Sequence, residues 1–545
     1  MPIGVVRWFA DAIVPIRRTH VKEIDCNAMQ NPFRLTAPSV LTILLAVLMA
    51  VVYIRPISDL DFGWQVRTGE RILASGRMRQ PEPFSYTIAG KDVPDHEWLY
   101  ETSLALLWQW FGMAGLRLVR VALFVAPILI LAWQLRRRGV ADDLLFLVVL
   151  FTSIFFLQFE RLRPLVCSTI CLQLTAGWLY DHCRGRGSVD WKLPVTFLLW
   201  GNLHPAVLMG QALLLGVLAW EWIIGKCAMR NAERGVMTER TESRRRLNGL
   251  TMWGGLALVA SFVAPAPIDR LLYPFAPELR HPAQRLFIEI NPPWKFLLAD
   301  PWNRALTVWS AVALALLLSI VAIRRWREFR GWEWAMLLAL SGLAFVAVRA
   351  LGDWLLISLA LVGPLVQNLR MPMFQRPPFR TQLGWASILF GVFALLTFTP
   401  ISRIVPFQEN EAWPRAAADW IAGKQTPGGE PWKVFARFND GAYLIWRLNG
   451  QAIVYADTRG FYYPGEFLED SVYLPRCEGD WKLRLERVMR QGTQYFLLPV
   501  QGADGELWRR VEPKIPQPLY RDERFVILTA QQVNEALSLE PGKTK

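Results

Sequence analysis

Apolar stretches of about 16–22 residues recur along most of this chain, each near the length needed to cross the hydrocarbon core of a bilayer. In hydrocarbon every backbone N–H and C=O must be satisfied within the protein, so such stretches fold as helices. The expected spans are 36–57, 114–135, 142–160, 164–181, 190–203, 206–225, 249–265, 303–323, 333–350, 352–369 and 383–400. The fifth is short and the sixth opens at Pro205, a break of the kind that lines a cavity or packs on protein. Composition agrees: 53% of the 545 residues are hydrophobic, above the ~45–50% of soluble domains. The fold class expected is an α-helical polytopic membrane protein.

The formal charge of +14 raises the question of a nucleic-acid partner. The basic residues, however, lie in connections between apolar spans, at 136–138, 184–186, 226–246, 324–330 and 370–380. If eleven spans alternate between the two faces, all of these clusters fall on the cytoplasmic side, the distribution that the positive-inside rule demands. No nucleic-acid partner is therefore expected. Arg7, Arg17, Arg18, Lys22 and Arg34 precede the first span and put segment 1–35 in the cytoplasm. The first apolar run begins near Thr36, too late for a cleavable signal peptide, so it is expected to stay as an anchor. On this topology Cys477 is the only cysteine outside, and no disulfide framework is expected.

Within the membrane region 36–400, two long segments then face outward, 58–113 and 266–302, and a domain of 401–545 follows the last span. In the first segment Phe62, Val66 and Leu73 share one face of a helix while Arg67, Glu70 and Arg71 share the other, the pattern of a helix lying in the membrane interface. Gly76 fits its C-terminal end, and a second amphipathic helix is expected over 97–110. The 401–545 domain mixes helical stretches (413–422, 481–491) with strand-like runs (434–438, 452–456, 495–499), which predicts a small α/β domain.

Several motifs occupy the outward-facing parts. The run Asp59-Leu60-Asp61-Phe62-Gly63-Trp64-Gln65-Val66-Arg67-Thr68-Gly69 is followed by Pro83-Phe84-Ser85-Tyr86-Thr87 and Asp95-His96-Glu97-Trp98. Further on come Arg163-Pro164, Trp200-Gly201-Asn202-Leu203-His204, Asn439-Asp440-Gly441-Ala442-Tyr443-Leu444-Ile445-Trp446 and Asp457-Thr458-Arg459-Gly460. Together these resemble a group of bacterial integral-membrane proteins of GT-C glycosyltransferase type. The chain departs from the group at Gln65, where members often carry His, and at Pro205, where they often carry Gly. The resemblance implies a GT-C-like bundle, membrane-parallel helices in the first external loop with an acidic residue at its start, and an external C-terminal domain. It also implies transfer of a sugar from a polyprenyl-phosphate-linked donor to an acceptor. The location implied is the bacterial inner (cytoplasmic) membrane, with the C-terminal domain periplasmic or extracellular. Partners would be membrane lipid, the donor, an acceptor, and on a second reading a larger membrane-protein complex.

Such a reaction assigns roles to residue types. A carboxylate must take the acceptor's proton, and Asp59 and Asp61 are the catalytic candidates; the same acids suit capping of the helix that follows. Asp61, Asp95 and His96 are candidate ligands for a divalent cation (Mg2+ or Mn2+) that offsets phosphate charge. The leaving lipid phosphate calls for cations. Arg161, Arg163 and Arg349 lie at the outer ends of spans, where bidentate phosphate contact competes with snorkelling to headgroups. Asp353, one turn after Arg349, is placed to orient it. His204 is a candidate substrate-binding residue, or a partner for backbone groups freed by Pro205. Glu289 and Trp294 are candidates for an acceptor groove, and Asp440, Asp457 and Arg459 read best as turn residues. A non-catalytic scaffold with the same fold is the alternative. A transporter is disfavoured, because no internal repeat is present and the acids sit at the outer boundary.

Overall fold

A computed structural model of the chain describes residues 57, 61–156, 162–231, 237–272, 275, 281–286, 291–295, 305–366, 413–424 and 427–538. Asp59, Glu289, Arg161, the span expected at 383–400 and all but Ile57 of the span expected at 36–57 lie outside them.

Helix α1 (Asp61–Ser75) opens the first loop with an acid in its first turn. It ends where Gly76, at φ 67°, donates its N–H to the Ile72 carbonyl at 2.8 Å. Its buried face carries Phe62, Val66, Gly69 and Ile72. Leu73 is exposed instead, because Ile72 takes the buried position at this turn and Leu73 points about 100° further around the helix. Strands β1 (Arg79–Pro81) and β2 (Asp92–Pro94) then form an antiparallel pair. Helix α2 (Trp98–Arg137) joins the expected amphipathic helix and the expected second span into one 40-residue element. Its break is at Gly112, whose φ of 55° and ψ of −146° suit only glycine. The crossing of α1 over α2 is equally specific. A Cβ at Gly69 would lie 2.1 Å from the Glu101 carbonyl oxygen and 2.9 Å from the Ala105 Cβ.

The bundle continues through α3 (Asp142–Phe156), α4 (Leu165–Cys183), α5 (Lys192–Leu203), α6 (Val207–Asn231), α7 (Met237–Ser261) and a short α8 (Pro267–Leu272). It closes with α9 (Ala305–Arg324), α10 (Gly331–Val346) and α11 (Leu351–Val366). Each expected span between 114 and 369 thus coincides with a helix. Among the described residues three helical segments are long and apolar enough to cross a membrane: Trp98–Arg137, Val207–Ile224 and Val348–Leu365. Helix α11 is buried along most of its length, whereas α9 and α10 expose Leu316, Ile320, Ile323, Leu338 and Phe345, an apolar surface suited to lipid. Opposite the first loop, the bundle ends in ion pairs: Arg138 with Asp181 at 3.0 Å, Arg184 with Glu333 at 2.7 Å and Arg330 with Glu221 at 2.6 Å.

The C-terminal domain is α/β. Strands β3 (Trp432–Phe435), β4 (Ala452–Val454), β5 (Tyr495–Pro499), β6 (Tyr520–Arg521) and β7 (Phe525–Thr529) form one mixed sheet in the order β4-β3-β5-β7-β6. The pairs β3–β4 and β3–β5 are parallel, and β5–β7 and β6–β7 are antiparallel. The strand expected at 434–438 stops at Phe435, and Phe438 already begins a helix, α12 (Phe438–Leu448). That helix presses its Gly441 against the sheet, where a Cβ would lie 2.4 Å from the Ala456 carbonyl oxygen.

The first loop belongs structurally to this domain. Residues 84–87 lie along the free edge of β4: Val454 N–H donates to the Phe84 carbonyl at 2.8 Å, and Thr87 Oγ1 donates to the Tyr455 carbonyl at 2.7 Å. Arg459 donates to both oxygens of Glu82 at 2.7 and 2.8 Å and to Asp457 at 2.6 Å, and the Tyr463 hydroxyl donates to Asp457 at 2.5 Å. As expected, Asp457 and Arg459 sit in a turn, where the Arg459 N–H donates to Asp457 Oδ1 at 2.9 Å, but that is only part of their role. They form a buried ion cluster across the two units, with the side chains of Arg459 and Glu82 only 4% and 1% exposed. Asp440 likewise is bound by Arg437 at 2.6 Å. Removing one member of such a cluster strands the others in a low-dielectric interior, at a cost of about 3–5 kcal/mol. Arg459→Met should lower the thermal unfolding midpoint in detergent strongly, and Glu82→Gln added to it should recover part of the loss. Equal stability of native and Arg459→Met protein would show that the cluster does not hold the loop.

Candidate functional site

The first loop, the start of α4 and the break between α5 and α6 meet in one place. Asp61, the first residue of α1, is buried, and its Oδ2 lies 2.6 Å from Arg163 Nη2. Arg163 is set by the turn that starts α4, in which Val166 N–H donates to the Arg163 carbonyl at 3.2 Å.

His204 terminates α5 in an extended conformation, φ −165° and ψ 144°, as a residue preceding proline prefers. Its ring is fixed on both sides. The Ala206 N–H donates to Nδ1 at 3.2 Å, and Ser168 Oγ lies 2.9 Å from the same nitrogen. Ser168 itself accepts from Trp200 Nε1–H at 2.8 Å, which leaves its hydroxyl hydrogen for Nδ1. An imidazole that accepts at Nδ1 carries its proton at Nε2 when neutral. That Nε2 faces Glu97 Oε1 at 3.4 Å. Nearby, Trp98 Nε1–H donates to Asn202 Oδ1 at 2.9 Å, and Asn202 Nδ2 donates to the Leu198 and Val263 carbonyls at 2.8 Å each. The Asn202–His204 motif thereby anchors the start of α2.

Burial sets the charges here. It is the main cause that pushes the Glu97 carboxyl up to about 8, reinforced by the carboxylates of Asp95 and Asp61 and opposed by Arg163 and Gln65. Asp95 is also raised by burial, against hydrogen bonds from Glu101 and the Glu97 backbone and the charge of Arg459. Burial, with Arg349 and His96, holds the His204 imidazole down at about 3. At neutral pH His204 is uncharged.

Arg349 stands in a single 3-10 turn (Val348–Ala350) on the exposed side of the same region. Asp353 follows in the first turn of α11, buried, with Arg349 and Thr169 of α4 as its charged and polar neighbours. The Val348 N–H donates to the Asn291 carbonyl at 3.0 Å, which ties the second long loop to this turn. Trp294 lies in that loop segment with 44% of its surface exposed.

The structure thus gathers Asp61, Arg163, His204 and Arg349 at one end of the bundle. His96 lies near enough to act on His204, while its own imidazole, lowered to about 4 mainly by burial, feels Arg270, Asp269 and Arg79. Among the described residues no group of three or more His, Cys, Asp and Glu side chains is arranged to hold a metal ion, and Asp59 lies outside them. Glu97 and Ser168 are site residues that the sequence did not single out, and Gln65, noted there as a departure from the group's His, lies beside Glu97. Glu97 stood within the Asp95-His96-Glu97 triplet, while Ser168 looks like any small residue of a span.

The depressed imidazole gives a signed pH dependence. Between pH ~6.5 and ~3 the unfolded chain takes up a proton at His204 that the folded chain does not, so acidification removes stability. Lowering the pH from about 7 to about 5 should therefore depress the melting temperature of the native protein more than that of His204→Gln. Parallel losses in the two proteins would contradict a neutral buried His204.

No protein-family model matches the sequence, and no curated protein matches it. Solved structures do. The archaeal oligosaccharyltransferase AglB from Archaeoglobus fulgidus, in complex with an inhibitory peptide and a dolichol-phosphate, superposes with a TM-score of 0.57 at 11% identity, over 85% of this chain and 69% of that one. The apo form of the Archaeoglobus fulgidus oligosaccharyltransferase gives 0.52 at 11% identity, over 86% and 70%. ArnT from Cupriavidus metallidurans in the apo state gives 0.51 at 13% identity, over 90% and 97%. At these identities the likeness is one of fold alone: the chain shares the fold of AglB and ArnT.

Proposed function

We propose that the protein is a membrane glycosyltransferase that moves a sugar from a polyprenyl-phosphate-linked donor to an acceptor hydroxyl or amine on the outer face of the bacterial inner membrane. The observation that carries this reading is the meeting of first-loop carboxylates with Arg163, His204 and the exposed Arg349 at one end of a GT-C bundle. The solved AglB complex contains a dolichol-phosphate, itself a polyprenyl phosphate, which supports a lipid-phosphate ligand for this fold. Eleven spans with the N-terminus in the cytoplasm would turn this end, and the C-terminal domain, outward.

In the reaction, the bond from the sugar's anomeric carbon to the phosphate oxygen breaks, and its electron pair leaves with the lipid phosphate. The acceptor's oxygen or nitrogen forms the new bond, and its proton passes to a first-loop carboxylate. Arg349 and Arg163 offset the charge on the leaving phosphate. The scheme assigns no step to a divalent cation, and Asp59 lies outside the described residues. The Asp61–Arg163 ion pair and the locking of the first loop to the C-terminal domain favour the second reading, a non-catalytic scaffold or subunit of a larger membrane complex.

Binding of polyprenyl phosphate by the purified protein in detergent separates the two. The native chain should bind saturably. Arg349→Ala should bind about tenfold or more weakly, the loss of a charge-assisted contact of roughly 1.4 kcal/mol or above. Absence of saturable binding by folded native protein would move the assignment to the scaffold.

A further inference from the structure

The two first-loop carboxylates at the site are held in opposite ways. Asp61 is buried and bridged at 2.6 Å by a guanidinium, so its carboxylate serves to fix Arg163. Glu97 is bridged by no guanidinium among the described residues. Its one close ring neighbour is His204 Nε2 at 3.4 Å, and the two side chains keep 19% and 18% of their surface open. That residual opening is what a small polar group needs to reach them.

The direction of the Glu97 contact is fixed from behind. Trp200 Nε1–H donates to Ser168 Oγ, the Ser168 hydroxyl and the Ala206 N–H both supply Nδ1, and Nε2–H is left for Glu97 Oε1. A neutral imidazole can aim a carboxyl group in this way without neutralising it, whereas the guanidinium on Asp61 both aims and neutralises. The other groups that face Glu97 are Asp95 from the preceding loop, Asp61 and Gln65 from α1, Arg163 from the turn before α4, and Cys167 from α4. Arg163 thus stands between the two carboxyl groups. On the far side of His204 lies Arg349, the exposed cation.

We propose that Glu97, aimed by the tautomer-locked imidazole of His204, is the residue that binds the hydroxyl or amine of the acceptor, with Asp61 as the positioning residue for Arg163. This assignment rests on the transferase reading and deepens it. It divides the site into an acceptor side, Glu97 and His204, and a phosphate side, Arg163 and Arg349. The substrate class follows from the chemistry: an acceptor that carries an O–H or N–H to donate, small enough at its reacting end to enter beside a largely covered carboxyl group.

Carbodiimide coupling of a small primary amine, glycine ethyl ester, to carboxyl groups of the full-length protein in detergent tests this, with the modified glutamates read by peptide mass spectrometry. Glu97 should couple much faster than Glu101, which is buried one turn further along α2. Polyprenyl phosphate at about ten times its Kd, which leaves only about one-eleventh of the protein free, should still let Glu97 couple, because a donor-bound site must admit its acceptor. Glu97→Gln should bind polyprenyl phosphate as the native chain does, since the phosphate side is intact. Coupling of Glu97 no faster than Glu101, or coupling blocked by lipid that demonstrably binds, would overturn the assignment while leaving the transferase reading in place. Absence of polyprenyl-phosphate binding by the native protein would overturn the transferase reading, and this inference with it.

Discussion

The buried ion cluster of Arg459 with Glu82 and Asp457 is the interaction on which the arrangement of the site depends. Glu82 belongs to the first loop and Arg459 to the C-terminal domain, 377 residues apart in sequence. Desolvating these charges is expensive, and the interior repays it only because the contacts are bidentate and further donors are present. The Phe84 and Ser85 N–H groups donate to Glu82 at 2.8 and 3.1 Å, and the Tyr463 hydroxyl donates to Asp457. With these partners in place the loop has one position on the domain. Arg67 extends the attachment by donating to the Trp446 carbonyl at 2.9 and 2.6 Å, and Phe62 packs on the Trp446 and Trp413 rings. Helix α1 is thereby held at its first turn, and Asp61 with it.

Against that fixed element the bundle presents charges of alternating kind. Arg163 meets Asp61, a neutral His204 meets Glu97, and Arg349 stands outermost. The imidazole stays uncharged because burial and the positive charge of Arg349 both oppose its protonation. One Asn, Asn202, spans three elements and keeps the start of α2 beside this break. On the proposed reading the arrangement combines two demands of lipid-phosphate chemistry, cation for the leaving group and carboxyl group for the acceptor, on elements that come from distant parts of the chain.

Much of the bundle was legible in the sequence, because span length and apolar content are local properties. The helices at 142–156, 165–183, 207–231 and 305–324 lie where apolar runs between basic loops put them. Break points were legible where glycine or proline marks them, as at Gly76 and Pro205. The C-terminal domain was less so. The strand-like run at 434–438 hides a switch to helix after Phe435, and the buried strand Phe525–Thr529 pairs with β5 only through the tertiary fold. The site was legible as a set of residues but not as contacts. Asp61, Arg163, His204 and Arg349 stood out as polar groups at span ends. Nothing local shows that Arg163 bridges Asp61, that Ser168 and Ala206 set the His204 tautomer, or that Asp457 and Arg459 reach back to Glu82. Those facts require the chain to fold, since each pairs residues with no periodic relation.

The most direct test of the account is a structure of the protein with polyprenyl phosphate bound. The phosphate should lie within hydrogen-bond distance of Arg349, on the side of Arg163 and His204, with Glu97 facing the position of the group attached to it. A phosphate bound elsewhere in the bundle, or no ordered lipid phosphate at saturating ligand, would contradict a transferase site at the meeting of the first loop with α4.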